Sequence, residues 1–137
     1  MVVIDANLLV SLVSGDPRGN IVLQHFTNWL SNNVELHAPV LARYETANAL
    51  TRLIVGDAFP ADKVEDAWNN ISLLPIAYHE LSNAKRVVEI ALALKRQNAY
   101  DAAYLALAEE LGAELWTLDG PLYRNAHSLG FPVKLIS

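Results

Sequence analysis

The sequence predicts an α/β fold: a three-layer α/β/α arrangement around a central, mostly parallel sheet of about five strands. Three observations predict it. Short apolar or β-branched runs alternate with helical segments along the whole chain, and strands separated by ten or more helical residues pair in parallel under covering helices. Hydrophobic residues make up 53% of the chain against 18% charged, enough apolar mass for one sizeable core. The length of 137 residues suits one domain spanning residues 1–137, and no Ser/Gly-rich linker, repeat or low-complexity stretch divides it.

Each element follows from local signals. Val2-Val3-Ile4 is a β-branched run and reads as the first strand. After Asp5-Ala6-Asn7, residues Leu8 to Val13 read as a short helix, and Gly15-Asp16-Pro17 as a turn. Asn20 is suited to cap a helix reaching about Asn32, with Ile21, Val22, Phe26, Trp29 and Leu30 at helical spacing. Leu36-His37-Ala38 reads as strand two. Pro39 suits the first turn of a helix running to about Val55 and closed by Gly56. Phe59-Pro60-Ala61-Asp62 opens a helix to about Ile71, and Leu73 to Ala77 reads as strand three. Ser82 lies near the start of a helix ending around Lys95-Arg96. Ala99 to Leu111 is a further helix, stopped by Gly112. Glu114 to Leu118 reads as strand four, Asp119-Gly120-Pro121 as a turn, and Pro132 to Ile136 as strand five.

Composition narrows the function classes. The apolar runs are short and interrupted by polar residues, so none spans a bilayer. The first acid arrives at Asp5, too early for an export signal. The absence of cysteine excludes disulfides, thiolate metal sites and thiol catalysis, and suits a cytoplasmic location. A net charge of −5 argues against a plainly basic nucleic-acid-binding face. Setting aside Asp5, Glu45, Asp101 and Asp119 leaves ten basic residues against eleven acidic ones, a net of −1. The charge then belongs to a chelating centre more than to an acidic surface.

Those four acids are the candidate site. Asp5 and Asp119 follow strands one and four, whose carboxyl ends open on one edge of a parallel sheet, where such sheets bind ligands. Thr117 and Asp119 alternate by two, and Asn7 is placed to hydrogen-bond Asp5. Glu45 lies in the helix after strand two, on one face with Leu41 and Asn48. Asp101 opens an otherwise apolar, hence mostly buried, helix. Each acid also has a plainer reading: a dipole partner for Asp101, turn or cap residues for Asp5 and Asp119, a solvated helix position for Glu45. Jointly, acids gathered at one edge repel and raise one another's pKa unless a cation is present. Hard carboxylate oxygens suit Mg²⁺ or Mn²⁺, with one or two ions per site.

The residues resemble PIN domains, and more closely the small VapC-type toxin ribonucleases. The resemblance runs through Val3-Ile4-Asp5-Ala6-Asn7, Tyr44-Glu45-Thr46-Ala47-Asn48, Tyr100-Asp101-Ala102-Ala103-Tyr104 and Leu115-Trp116-Thr117-Leu118-Asp119, in this order along essentially the whole chain. It implies a PIN-like fold and a metal-dependent endoribonuclease, the toxin of a type II toxin–antitoxin pair. Asp5, Glu45, Asp101 and Asp119 would be the metal-binding and catalytic acids, with Asn7 and Thr117 as supporting polar residues. It also implies a homodimer and a protein antitoxin, the helical segments carrying Trp29, Phe59 and Trp68 being those that build such faces in the family. The family often carries a polar or basic residue after the last acid, where this chain has Gly120-Pro121.

For RNA, Arg96 and Arg124 are candidate phosphate contacts. Lys95-Arg96 equally suit the C-terminus of a helix, and Arg43 and Arg52, flanking Glu45, are as ambiguous. Tyr100 and Tyr104 are candidates to stack on bases, with burial in the core as the leading alternative. His25, His37, His79 and His127 lack metal-ligand spacing and read as structural. The main alternative is a non-catalytic PIN-like module that binds RNA or protein. A phosphoacceptor receiver domain fits poorly, since strand three ends without Asp and Asp5 has no acidic neighbour. A haloacid-dehalogenase-type phosphatase would need Asp-x-Asp where Asp5-Ala6-Asn7 stands.

Overall fold

The computed structural model describes residues 1–137. Five strands form one sheet: β1 (Val2–Ile4), β2 (Leu36–Pro39), β3 (Ile76–His79), β4 (Glu114–Thr117) and β5 (Val133–Leu135). Their spatial order is β3-β2-β1-β4-β5, and every pairing is parallel. Seven α-helices cover it: α1 (Ala6–Val13), α2 (Gly19–Ser31), α3 (Leu41–Val55), α4 (Val64–Ser72), α5 (Ala84–Ala93), α6 (Tyr100–Leu111) and α7 (Gly120–Ser128).

The β-branched β1 occupies the centre of the sheet, which explains why all three of its residues are buried. Helix α6 lies against β1, β2 and β4 and is backed by α5. Ala102, Leu105 and Ala108 are small or flexible enough to let α6 settle closely on the strands, and all three are buried. Helix α1 packs against α2, α3 and α4. One core of 29 buried residues unites these layers, with Phe26, Leu9, Leu105 and Leu122 among its largest members. A smaller cluster of Leu50, Phe59 and Ala67 joins α3 to α4. Trp29 belongs to the main core, and Trp68 is partly buried against it.

Several boundaries differ from the sequence reading. Pro39 ends β2 instead of opening the next helix; its fixed φ is compatible with a strand end, where a missing N–H is tolerated. Strand β3 begins at Ile76, not Leu73, which is 82% exposed beyond the end of α4. Helix α1 starts at Ala6, two residues early, because Asp5 stands at its N-cap. Helix α2 starts at Gly19 after Arg18, so Asn20 lies within it. The segment opening at Pro60 begins as a single 3₁₀ turn, Ala61–Lys63, before α4. Helix α5 is capped by Asn83, whose side chain accepts a bond from the Arg86 amide, and it ends at Ala93, before Lys95 at φ 58°.

The largest omission is α7. Asp119-Gly120-Pro121 is not only a turn but the start of a nine-residue helix. Proline in a first helical turn needs no N–H partner, and the Asp119 carboxylate accepts a 3.0 Å bond from the Leu122 amide. Gly112 closes α6 in the left-handed region at φ 64°, as expected for a glycine terminator.

Candidate active site

The strand order reverses between β1 and β4, which pair Val2 to Glu114 and Ile4 to Trp116. Asp5 leaves the end of β1 and Asp119 follows β4, so both stand at the topological switch point. Open parallel sheets bind their ligands there.

Asp5 is the most constrained of the four acids. It occupies the N-cap of α1 yet makes no capping bond with its side chain. Its Oδ2 instead accepts a 2.8 Å bond from the Thr117 hydroxyl and a 3.3 Å bond from Asn7 Nδ2. Asn7 also donates to Thr117 Oγ1 at 3.1 Å and accepts from the Leu118 amide at 3.2 Å. Thr117 Oγ1 further accepts the Asp119 amide at 3.0 Å. These bonds tie the ends of β1 and β4 into one polar network. Asn7 and Thr117, singled out from the sequence, both belong to it.

Glu45 approaches from α3 and Asp101 from the first turn of α6. Burial pushes the Asp5 carboxyl up to about 7; the Thr117 bond opposes this, and the charges of Glu45 and Asp101 add to it. Glu45 is raised first by burial and then by Asp101, against the Tyr104 bond and Arg52. Asp101 is raised by burial and by Asp119, with Arg96 opposing. Each acid therefore lies within electrostatic reach of another. The fold brings together Asp5, Glu45, Asp101 and Asp119, and Arg96 is close enough to act on Asp101. Arg124 projects from α7, its guanidinium beside Gly120.

Tyr104 is the residue whose polar role sequence reading missed. It is core, as the apolar helix implied, at 1% exposure. Its hydroxyl donates a 2.6 Å bond to Glu45 Oε1, and burial together with the nearby carboxylates raises its phenol pKa. The available signal was its place three residues after Asp101, on the same helical face, since a buried tyrosine hydroxyl requires a partner. Tyr100, by contrast, is exposed. The histidines are engaged elsewhere: His25 packs on Trp29 and Trp116, His127 lies beside Tyr123, and His37 Nδ1 meets His79 Nε2 at 2.8 Å.

The donor set suits a divalent cation in chemistry: hard oxygens, partly desolvated, whose mutual repulsion a positive ion would relieve. The side chains are not closed around one point. No three acidic or histidine groups converge tightly enough to hold an ion as they stand. Two contacts account for part of this: Glu45 is held by Tyr104, and Asp119 is held by the α7 amide.

Comparison with known proteins agrees with the geometry. The PIN domain family pattern matches residues 2–128. The curated protein "Ribonuclease VapC3" from Pyrobaculum aerophilum is 32% identical over 135 residues, covering 95% of this chain and 98% of that protein. The crystal structure of PAE2754, from the same organism, superposes with a TM-score of 0.68 at 22% identity, over 90% of this chain and 77% of that one; at that identity the likeness speaks for the fold alone. With the family pattern spanning nearly every element and a relative aligned almost end to end, the chain belongs to the PIN domain family.

Proposed function

We propose that this protein is an Mg²⁺- or Mn²⁺-dependent endoribonuclease, acting as one domain in the cytoplasm as the toxin of a toxin–antitoxin pair. The observation that carries the reading is Asp5. Its carboxyl is buried, withheld from capping its own helix, oriented by Thr117 and Asn7, and within electrostatic reach of Glu45 and Asp101. A purely structural cap would bond its own helix amides, as Asp119 does. The relative named as a VapC ribonuclease, matched over almost its full length, supports the same activity.

Asp5 and Asp101 are the foremost ligands. Glu45 ligates or accepts a proton from the attacking water, and Tyr104 holds it in place until it does so. Asp119 contributes charge while capping α7. A bound divalent cation, one or two per site, supplies charge neutralisation for the phosphate and acidifies a water molecule. Arg96, which acts on Asp101, and Arg124, whose guanidinium lies beside Gly120, are the candidate contacts for flanking phosphates. The exposed Val88 and Leu92, one helical turn apart on α5, offer an apolar stripe for a homodimer face. A protein antitoxin carrying a basic side chain would compete for the acids.

The rival is a non-catalytic PIN-type module that binds RNA or protein, and the unclosed acids favour it. Incubating the purified protein with structured RNAs in Mg²⁺, Mn²⁺ or EDTA decides between them. Cutting in either metal, blocked by EDTA and lost in Asp101→Ala, is the expected result. Equal cutting by Asp101→Ala would assign the activity to a contaminant or another site.

A further inference from the structure

Six residues of the chain have a positive φ, and three of them are glycines. Asn33 and Asp57 carry the short polar side chains that tolerate the left-handed region. Lys95, at φ 58°, is the sixth and has neither excuse. It follows Leu94, the C-cap of α5, at the position where helices favour glycine. The stop is otherwise well made. The Lys95 amide donates to the Leu92 carbonyl and the Arg96 amide to the Ala91 carbonyl, each at 3.0 Å. From α7, Asn125 Nδ2 donates a 3.0 Å bond to the Leu94 carbonyl. Nothing in this turn calls for lysine, and glycine would adopt it with less strain. A strained position inside an over-determined turn is a reason to ask what its side chain does. The next residue, Arg96, is the cation that acts on Asp101. Lys95 and Arg96 are both exposed, and neither is engaged in an ion pair. The helix that holds their turn is the one capped by Asp119.

We propose that Lys95 joins Arg96 in gripping backbone phosphates of the RNA, and that Asn125 is the positioning residue that fixes their turn. The inference rests on the ribonuclease reading and deepens it, adding two residues to the substrate-binding machinery. An ammonium and a guanidinium on successive residues attract phosphate without reading bases. Each such contact releases counterions, so binding weakens as salt rises. Anchoring the turn from α7 places the grip in the same frame as Asp119. The plainer reading of Lys95, a cation complementing the C-terminal end of α5, makes the opposite prediction for stability. A dipole partner is missed when it is removed, whereas a lysine strained in a glycine position is not.

The test measures binding of a fluorescent RNA oligomer by anisotropy across a salt series, with Ca²⁺ in place of Mg²⁺ and gels checking that the strand stays intact. Lys95→Gly is expected to melt no lower than wild type, yet to bind RNA about threefold to tenfold more weakly, with a log–log salt slope shallower by about 0.7. Lys95→Arg keeps the charge and is expected to restore both affinity and slope. Asn125→Ala is expected to weaken binding in the wild-type background and to add nothing to a Lys95→Gly, Arg96→Ala double variant, because it acts only through those two side chains. If Lys95→Gly keeps the wild-type affinity and slope while wild type still cuts RNA in Mg²⁺, the grip is overturned and the nuclease reading stands. If Lys95→Gly lowers the melting temperature and leaves the salt slope unchanged, Lys95 serves the end of α5 and the grip is likewise overturned. Equal weakening by Asn125→Ala in both backgrounds would overturn its positioning role. If wild type neither binds nor cuts RNA, the nuclease reading fails and takes this inference with it.

Discussion

At the scale of single residues, Asp5 concentrates the physics of the site. Its carboxyl is raised from 3.8 to about 7, chiefly by burial. A carboxyl whose folded-state pKa lies above its unfolded value stabilises the fold while protonated. That contribution is fully present below about pH 4 and is lost as pH rises through about 7. Three pKa units correspond to at most roughly 4 kcal/mol. Thermal melts in EDTA should therefore show Asp5→Asn gaining stability over wild type as pH rises from about 5 to 8, with the gap narrowing when Mn²⁺ is added to wild type. A constant difference across that range would mean that Asp5 titrates normally. Asn7 was legible beside Asp5 from its position after the strand end, whereas the grouping of Asn7 with Thr117 came from the family resemblance. The Tyr104–Glu45 bond was not legible, because its spacing from Asp101 marks Tyr104 as a buried hydroxyl in need of a partner without telling that a carboxylate on another helix supplies it.

Among the elements, α7 carries the sharpest question. Asp119 both caps this helix and lies within electrostatic reach of Asp101. Asparagine caps as well as aspartate but carries no charge. Asp119→Asn is expected to keep the wild-type melting temperature and lose most RNA cleavage, whereas Asp119→Ala loses cleavage and about 1 kcal/mol of stability as well. An Asp119→Asn protein with full activity would reduce Asp119 to a cap. The helix escaped sequence reading because Asp-Gly-Pro is strong turn chemistry and the nine residues it opens include only a few apolar ones. Pro39 misled in the opposite direction: the same ring that starts helices also ends strands. Long periodic segments such as α3 and α6 were legible almost to the residue, since their terminating glycines, Gly56 and Gly112, are local signals.

For the whole molecule, the parallel sheet and its helical cover follow from alternation alone, but the strand order does not. The neighbouring of β1 and β4, on which the convergence of Asp5 and Asp119 depends, arises from pairing across more than a hundred residues. No short-range pattern encodes it; the resemblance in motif order was what pointed there. Helix α6 ties the levels together, since it is core against three strands while its first turn delivers Asp101. Leu105→Ala, at a fully buried site one turn beyond Asp101, should cost about 2–5 kcal/mol in denaturant melts. A loss below about 1 kcal/mol would show that α6 is not the packed centre described here.

The central claim is that acids far apart in the chain act together on one cation. Calorimetric titration of Mn²⁺ near pH 7, repeated in buffers of different ionisation enthalpy, tests it most directly. Wild type should bind Mn²⁺ and release protons, because burial raises the Asp5 carboxyl and it must ionise to ligate, while Asp5→Asn and Asp101→Asn each bind at least about tenfold more weakly. Wild-type protein that takes up no Mn²⁺, or an Asp5→Asn variant that binds it equally well, would contradict the account.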